Sequence, residues 1–456
     1  MRQEHDSLGP VEVPEQAFYG AQTARALRNF QISERTPRSA LIRAYLRIKA
    51  AAAKTNLSCG VLSADNSRLI QRGVDEIFNL PEEKWPEIFP LDPYQAGAGT
   101  SQNMNVNEVV ANVANRITER PFGSYAPIHP NDHVNRSQST NDSYPTALRL
   151  ALLEVSIPVV NELRHLHLSF TTLAEKWRNI PKSARTHLQD AVPMKLGQEF
   201  GAYGQAVRRC AEWVEGARGE LRELGIGGSA AGTGLTAPPG YAQGMVTELS
   251  RLTGEPLRLA PDLCEAMQSQ APVSYYSSML RVTALELTRI CNDLRLLASG
   301  PMTGLAEIVL PAVQPGSSIM PGKVNPSILE AMNQTLFGVL GHDHTLAMAM
   351  QAGQLELNVM MPVMADATIE ASVILARGLR MLRTLCVDGL QANEPRLRKY
   401  FESTPQVATA LSPRLGYEAT AKLVQEAVRS GKTVIELVRE RGLIPETELK
   451  GLLDHF

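Results

Sequence analysis

The chain is 456 residues long, which at about 150 residues per domain allows about three domains. Charged residues make up 20% and the aliphatic and aromatic set 44%, with 45 Lys+Arg against 47 Asp+Glu, the profile of an ordinary globular protein. A net charge of −2 excludes a globally basic nucleic-acid binder and leaves room for a local basic pocket. The opening segment MRQEHDSLGPVEVPEQ has no apolar core of the signal-peptide kind, and no stretch reaches the ~18 uninterrupted apolar residues of a membrane span. The expectation is a cytoplasmic protein with neither a membrane nor a nucleic acid as partner. The five cysteines (Cys59, Cys210, Cys264, Cys291, Cys386) are odd in number and never form a CxxC pair, which argues against a disulfide framework or a zinc ribbon and for buried thiols.

Aromatic residues are only 5%, and long segments are rich in Ala, Leu, Glu and Arg, which lose little rotamer freedom in a helix. Strand-like alternation is nearly absent. In chain order, long helices are predicted at 143–178, 193–223, 273–299, 325–351 and 356–386. Pro158 is expected to bend the first, because it removes one ladder hydrogen bond and crowds the preceding turn. Asp190 reads as a cap region, with Pro193 in the first turn of the second helix. The Gly- and Pro-rich stretches 225–240 and 300–326 read as loops, the latter long enough to suggest a function. In the third helix Tyr276, Leu280, Ala284, Leu287, Cys291, Leu294 and Ala298 recur at spacings of three and four and make one apolar stripe. Helices of this length need neighbours of matching length, which a bundle supplies. The fold class is therefore all-α. The expected partition is a mostly helical N-terminal domain (1–138), a central five-helix bundle (139–394) and, after Asn393-Glu394-Pro395, a small helical C-terminal domain (395–456).

Three motifs imitate cofactor sites. GSSIMPGKV (316–324) has five residues between its glycines and Val324 after the lysine, where a phosphate loop needs four and a Ser or Thr. Gly225-Ile226-Gly227 with Ala230 resembles a dinucleotide fingerprint but is expected to follow a helix and not a strand. HPNDH (129–133) brackets an Asp with two histidines, yet Pro130 and Asn131 argue against the helix that such a ligand pair needs. No metal or cofactor is expected.

What remains are polar clusters: Ser137-Gln138-Ser139-Thr140-Asn141-Asp142, Thr186-His187, and Gly316-Ser317-Ser318 with Lys323 and Asn325. Singly, each suits a helix cap or a turn. Together, GSSIMPGKVNP (316–326), HPNDHVNRSQSTND (129–142), GAGTSQNMNVNE (97–108) and RTHLQDAVPMKLGQEF (185–200) resemble the characteristic segments of the fumarase/aspartase superfamily, in the same order. The resemblance runs from LGPVEVPEQAFYGAQT to GYEATAKLVQEA and beyond, essentially the whole chain. It implies three largely helical domains, with the five-helix bundle assembling into a twenty-helix core of a 222-symmetric homotetramer.

Thr140 in QSTND, the order GTSQN, and the runs LQDAVPM and GQLELNVM (353–360) are more similar to the aspartase branch than to class II fumarases. Met361 departs from that branch, where Glu commonly follows LNVM. The implied reaction is reversible elimination of ammonia from L-aspartate to give fumarate. The alternative is a class II fumarase or another lyase of a substituted succinate.

Such a reaction removes a proton from the carbon beside a carboxylate that is already anionic, so a site must supply many preorganised donors and a desolvated base. The resemblance makes Ser317 the general base, its alkoxide held by loop N–H groups and positive charge. It places Thr100, Ser139, Thr140 and Ser318 on the carboxylate that becomes a dianion, and Thr186, Lys323 and Asn325 on the other. Asn141 and His187 would contact the amino group, with Glu330 orienting His187. Residues 143–178, if helical, span about 54 Å at 1.5 Å per residue. Asn141 and His187 are then expected at opposite ends of the bundle, with the Ser317 loop at the His187 end. Asn141 and Ser317 would meet only across subunits packed antiparallel, giving composite active sites.

Overall fold

A computed structural model of the chain describes residues 1–455; Phe456, the last residue of the expected C-terminal domain, lies outside them. The hairpin β1 (Arg2–Asp6) and β2 (Gly9–Val13) leads into α1 (Ala21–Asn29), α2 (Ser39–Ser58), α3 (Ala64–Phe78), α4 (Trp85–Ile88) and α5 (Thr100–Arg116). Next come α6 (Thr140–Lys176), the hairpin β3 (Pro181–Thr186) and β4 (Gln189–Lys195), α7 (Leu196–Leu221), β5 (Glu223–Leu224), α8 (Tyr241–Thr253), β6 (Arg258–Leu259) and α9 (Leu263–Gln268). They are followed by α10 (Ala271–Leu297), β7 (Ile308–Val309), α11 (Ser327–Gln351), α12 (Met361–Leu385) and β8 (Gln391–Ala392). The described chain closes with α13 (Glu394–Ser403), α14 (Ala408–Leu415), α15 (Tyr417–Ser430), α16 (Val434–Glu440) and α17 (Glu446–His455).

The fold is helical, and the long helices α6, α7, α10, α11 and α12 lie where the apolar spacing predicts them. In α10, Tyr276, Leu280, Ala284, Leu287, Cys291 and Leu294 are all fully buried, while Ala298 falls just beyond the helix and is half-buried. No described helix is long and apolar enough to cross a membrane.

Several local expectations need correction. Four two-stranded ladders are present among the described residues. Pro193 does not start a helix: it sits in β4 opposite Ser183, with Asp190 opposite Arg185, and α7 begins at Leu196. A two-stranded hairpin has only edges, so a residue without an N–H is tolerated there. Gly225 follows the short strand β5, which pairs in parallel with β6, and not a helix. Pro130–Val134 does form a helical turn, of the π type. Pro130 has no N–H to leave unpaired, His129 Nδ1 accepts from the N–H groups of Asn131 and Asp132, and His133 Nδ1 accepts from His129 N (2.9 Å). His342 and His344 lie within α11 and not near a turn. Cys210, Cys291 and Cys386 are buried thiols, whereas Cys59 and Cys264 are only half-buried.

The chain divides into two compact units, and each long helix contributes to both. The first comprises Met1–Val160, Glu212–Val282 and Phe337–Ala376. Its polar spine is α5, whose asparagines are buried and hold neighbouring loops. Asn115 clamps Ile128 with both amide atoms (2.8 Å each), and Asn112 receives Gly123 N and donates to Phe18 O. Glu108 on the same helix accepts from Gly20 N, Gln22 N, Thr23 N and Thr23 Oγ1, which caps α1; burial pushes its carboxyl up to about 7 while these donors pull the other way. The second unit comprises Asn161–Ala211, Thr283–Leu336 and Arg377–Phe456. Fully buried Glu307 ion-pairs there with Lys182 (3.2 Å) and Arg185 (2.7 Å), joining the β3–β4 hairpin to the base of the 300–326 loop. Its C-terminal helices share a core that includes Phe401, Leu411, Leu423, Val434, Val438 and Leu449.

Gly99 shows how tightly the first unit is assembled at the start of α5. Its φ is +79°, and a Cβ there would lie 2.0 Å from the Tyr144 ring. Gly99→Ala should destabilise the protein by about 1–3 kcal/mol or more, through overpacking and backbone strain together. Chemical denaturation measures this, and an unchanged midpoint would contradict the packing described.

Candidate active site

In the first unit the nominated residues Thr100, Ser139, Thr140 and Asn141 stand at the starts of α5 and α6. Ser139 Oγ accepts from Asn141 N (3.2 Å), while Asp142 Oδ1 accepts from Ser139 N (3.0 Å), a reciprocal cap of the capping-box kind. The other oxygen of Asp142 accepts from Gly227 N (3.1 Å) and Ser229 N (3.0 Å), so the glycine-rich 225–240 loop is docked against the tip of α6. Burial pushes the Asp142 carboxyl up to about 7, against these backbone donors. Asn141 Nδ2 donates to Ala230 O (2.8 Å). A carbonyl oxygen only accepts, so the Asn141 amide is oriented by this bond and its Oδ1 is left as a free acceptor.

Asn103, three residues after Thr100 in α5, donates from Nδ2 to Thr140 Oγ1 (3.2 Å). Asn103 in turn meets Lys49, on α2. The Lys49 amine is fully buried and donates to Asn103 Oδ1 (2.7 Å), Gln138 Oε1 (2.9 Å) and Asn135 Oδ1 (3.3 Å). Burial pushes it down to about 7, with Asp142 opposing. Two helix N-termini, each carrying a hydroxyl and the positive end of a helix dipole, make this a fitting place for a carboxylate. Lys49 had no place in the sequence reading, and Asn103, Asp142 and the 225–240 loop had no part there in holding the site. One signal was present: Lys49 interrupts an otherwise apolar face, four residues after Tyr45 and three before Ala52.

The second unit holds Thr186, His187, Ser317, Ser318, Lys323, Asn325 and Glu330. Thr186 and Gln189 close the β3–β4 hairpin, and the exposed apex is His187-Leu188, with φ of 55° and 60°. Left-handed backbone at two non-glycine residues costs about 1–2 kcal/mol each, a strain that clusters at functional sites. The neighbouring loop is closed on itself. Gly316 N donates to Lys323 O (2.8 Å), and Asn325 Nδ2 donates to Gly316 O (2.6 Å). Inside this turn Ser317 Oγ accepts from Ile319 N (3.2 Å) and Met320 N (3.0 Å), so two backbone donors hold its oxygen. Ser318 and Lys323 are exposed, and the Lys323 ammonium has no ion-pair partner among the described residues. Glu330 and His187 are not in contact; the Glu330 carboxylate lies 4.0 Å from the Arg295 guanidinium. Met361, the departure from the aspartase pattern, is fully buried as the first residue of α12 and is a packing residue.

Comparison with known proteins identifies the family. Residues 9–341 match the lyase family and residues 407–456 match the fumarase C C-terminal family, so the chain belongs to the lyases of the fumarase/aspartase superfamily. Relatives of two named activities resemble it about equally. An aspartate ammonia-lyase of a Bacillus species is 42% identical over 456 residues, covering 100% of this chain and 97% of that protein. A class II fumarate hydratase of Corynebacterium glutamicum is 43% identical over 450 residues, covering 98% and 93%. A fumarate lyase:delta crystallin from Brucella melitensis, crystallised with bound cobalt, superposes with a TM-score of 0.95 at 43% identity over 99% of this chain and 98% of that one.

A Cβ on Gly316 would lie 2.4 Å from Lys323 O and 2.7 Å from Asn325 N, so no side chain fits without opening the turn. Gly316→Ala should lower turnover on the order of 10²-fold, the cost of misplacing a reacting group by about 1 Å. The melting temperature should stay near wild type, because the loop is exposed. Steady-state kinetics beside a thermal melt checks both, and full activity would separate the loop geometry from catalysis.

Proposed function

We propose that the protein is an aspartate ammonia-lyase, a carbon–nitrogen lyase that converts L-aspartate to fumarate and ammonia, acting as a cytoplasmic homotetramer. The observation that carries this reading is the orientation of Asn141. Its free Oδ1 offers an acceptor, which suits a substrate ammonium with three N–H donors. His187, with no hydrogen-bond partner of its own among the described residues, supplies a second acceptor when its ring is neutral.

In this mechanism the Ser317 alkoxide, held by Ile319 N–H and Met320 N–H, takes a proton from the carbon beside one carboxylate. The electron pair moves into that carboxylate, which becomes a dianion cradled by Thr100, Ser139, Thr140 and Ser318. The pair then returns to form the double bond and expels the nitrogen from the neighbouring carbon as ammonia. Thr186, Lys323 and Asn325 hold the second carboxylate, Lys323 as a compact charge. Ser317 gives its proton to solvent, and no cofactor enters the balance. The second reading, a class II fumarase, is favoured by the Corynebacterium glutamicum relative.

Fumarate absorbance measured with L-aspartate and with L-malate side by side separates the two. Fumarate should form from L-aspartate, and activity on L-malate alone would overturn the proposal. Ser317→Ala should lower kcat by at least about 10³-fold while still binding a substrate analogue, because it removes the base and no core volume. A variant that keeps most of its turnover would reject the assigned base.

The assembly follows from the same placement. Neither compact unit holds both Asn141 and Ser317, which supports sites that take each from a different subunit. Asn141→Ala and Ser317→Ala should each be nearly inactive alone, and co-refolding them should restore about a quarter of sites under random mixing in a symmetric oligomer. Mixed tetramers with no recovered activity would show that each site comes from one chain.

A further inference from the structure

Lys49 lies at the middle of α2 with no exposed surface, and no carboxylate stands within ion-pair distance of it among the described residues. Burying an amine this way is expensive unless every donor is used. It is used here on three side-chain amide oxygens, those of Asn103, Gln138 and Asn135. Lys49 has donors to give and no acceptor to offer while protonated, so each amide must turn its oxygen toward it. The Ser143 hydroxyl, whose single hydrogen has the shorter bond to Ser139 O (2.8 Å), lies 3.3 Å from the same Asn103 oxygen.

An amide whose oxygen is pinned has its NH2 group pinned on the opposite side. The Asn103 NH2 group points at Thr140 Oγ1 (3.2 Å) and Asn135 Oδ1 (3.1 Å). Having accepted from Asn103, the Thr140 hydroxyl must direct its single hydrogen elsewhere. We infer that Lys49 is a positioning residue: by locking the Asn103 amide it makes Thr140 a hydrogen-bond donor toward the substrate carboxylate. Without that lock the amide can reverse, Thr140 then donates inward, and a lone pair faces an anion. The inference rests on the proposal that Thr140 touches substrate, and it extends the site inward to a residue that never meets the substrate itself.

The test uses the assembled enzyme and three variants. Thr140→Ala measures what the hydroxyl contributes. Lys49→Met removes the lock, and Asn103→Asp keeps an oxygen for Lys49 but has no N–H for Thr140. The new carboxylate can only accept, so the hydroxyl turns toward it while the Lys49 amine stays satisfied and the fold is kept. Because the donor strengthens as the carboxylate becomes a dianion, both Lys49→Met and Asn103→Asp should lower kcat on the order of 10²-fold, with a smaller change in KM. In a Thr140→Ala background neither should cost anything further, since the hydroxyl they act through is gone. Circular dichroism and melting curves verify folding, and Asn103→Asp carries the test if Lys49→Met does not fold. A folded Asn103→Asp enzyme with wild-type kcat, or losses that simply multiply with that of Thr140→Ala, would overturn the inference. Full turnover by Thr140→Ala alone would instead reject the placement of Thr140 in the site, and the inference with it.

Discussion

Three backbone N–H groups from two distant parts of the chain converge on the fully buried carboxylate of Asp142. A buried anion is tolerated only where donors replace the water it has lost. The 225–240 loop is therefore brought to the start of α6. The same constraint recurs at Glu108, which gathers the N-terminus of α1, and at Glu307, which gathers a hairpin strand through Lys182 and Arg185. Each of these carboxylates lies where helices end or loops depart, and helix ends are where unpaired backbone donors occur. Asp142 and Glu108 draw on that supply of backbone N–H groups, whereas Glu307 is held by two side-chain cations.

The division of labour follows from rigidity. Long helices with buried apolar stripes hold their ends in place, and the residues of the proposed site sit on those ends or on short connections between them. Thr100 and Thr140 begin helices; His187 crowns a hairpin whose apex is strained; Ser317 sits in a turn closed by Gly316, Lys323 and Asn325. Such placements leave hydroxyls and amides exposed to a ligand while their backbone is already committed. Donors fixed before substrate arrives cost no reorganisation when charge develops.

Much of this could be read along the chain. The spacing of Tyr276, Leu280, Ala284 and Leu287 reported a bundle helix, and the density of Gly and Pro between 300 and 326 reported the loop that carries Ser317. The hairpin around His187 could not be read: PKSARTHLQDAVPMK has neither clean alternation nor an Asn-Gly turn, and Pro193 imitates a helix start. Lys49 and Asp142 escaped for another reason. Their partners lie between 54 and 89 positions away, except for Ser139, and no local period encodes contacts of that span.

The sequence by itself determined the helical class, the positions of the five long helices, and which hydroxyls, amides and charges the chain has to offer, because apolar periodicity and residue chemistry are local properties. Only the tertiary structure decided which way those groups point. Asn141 became an acceptor because Ala230 O takes its NH2 group, and Thr140 Oγ1 accepts from Asn103, whose own oxygen is held by Lys49. A hydrogen bond has a direction set by its partner, and when that partner comes from a remote part of the chain, the direction exists only once the chain has folded.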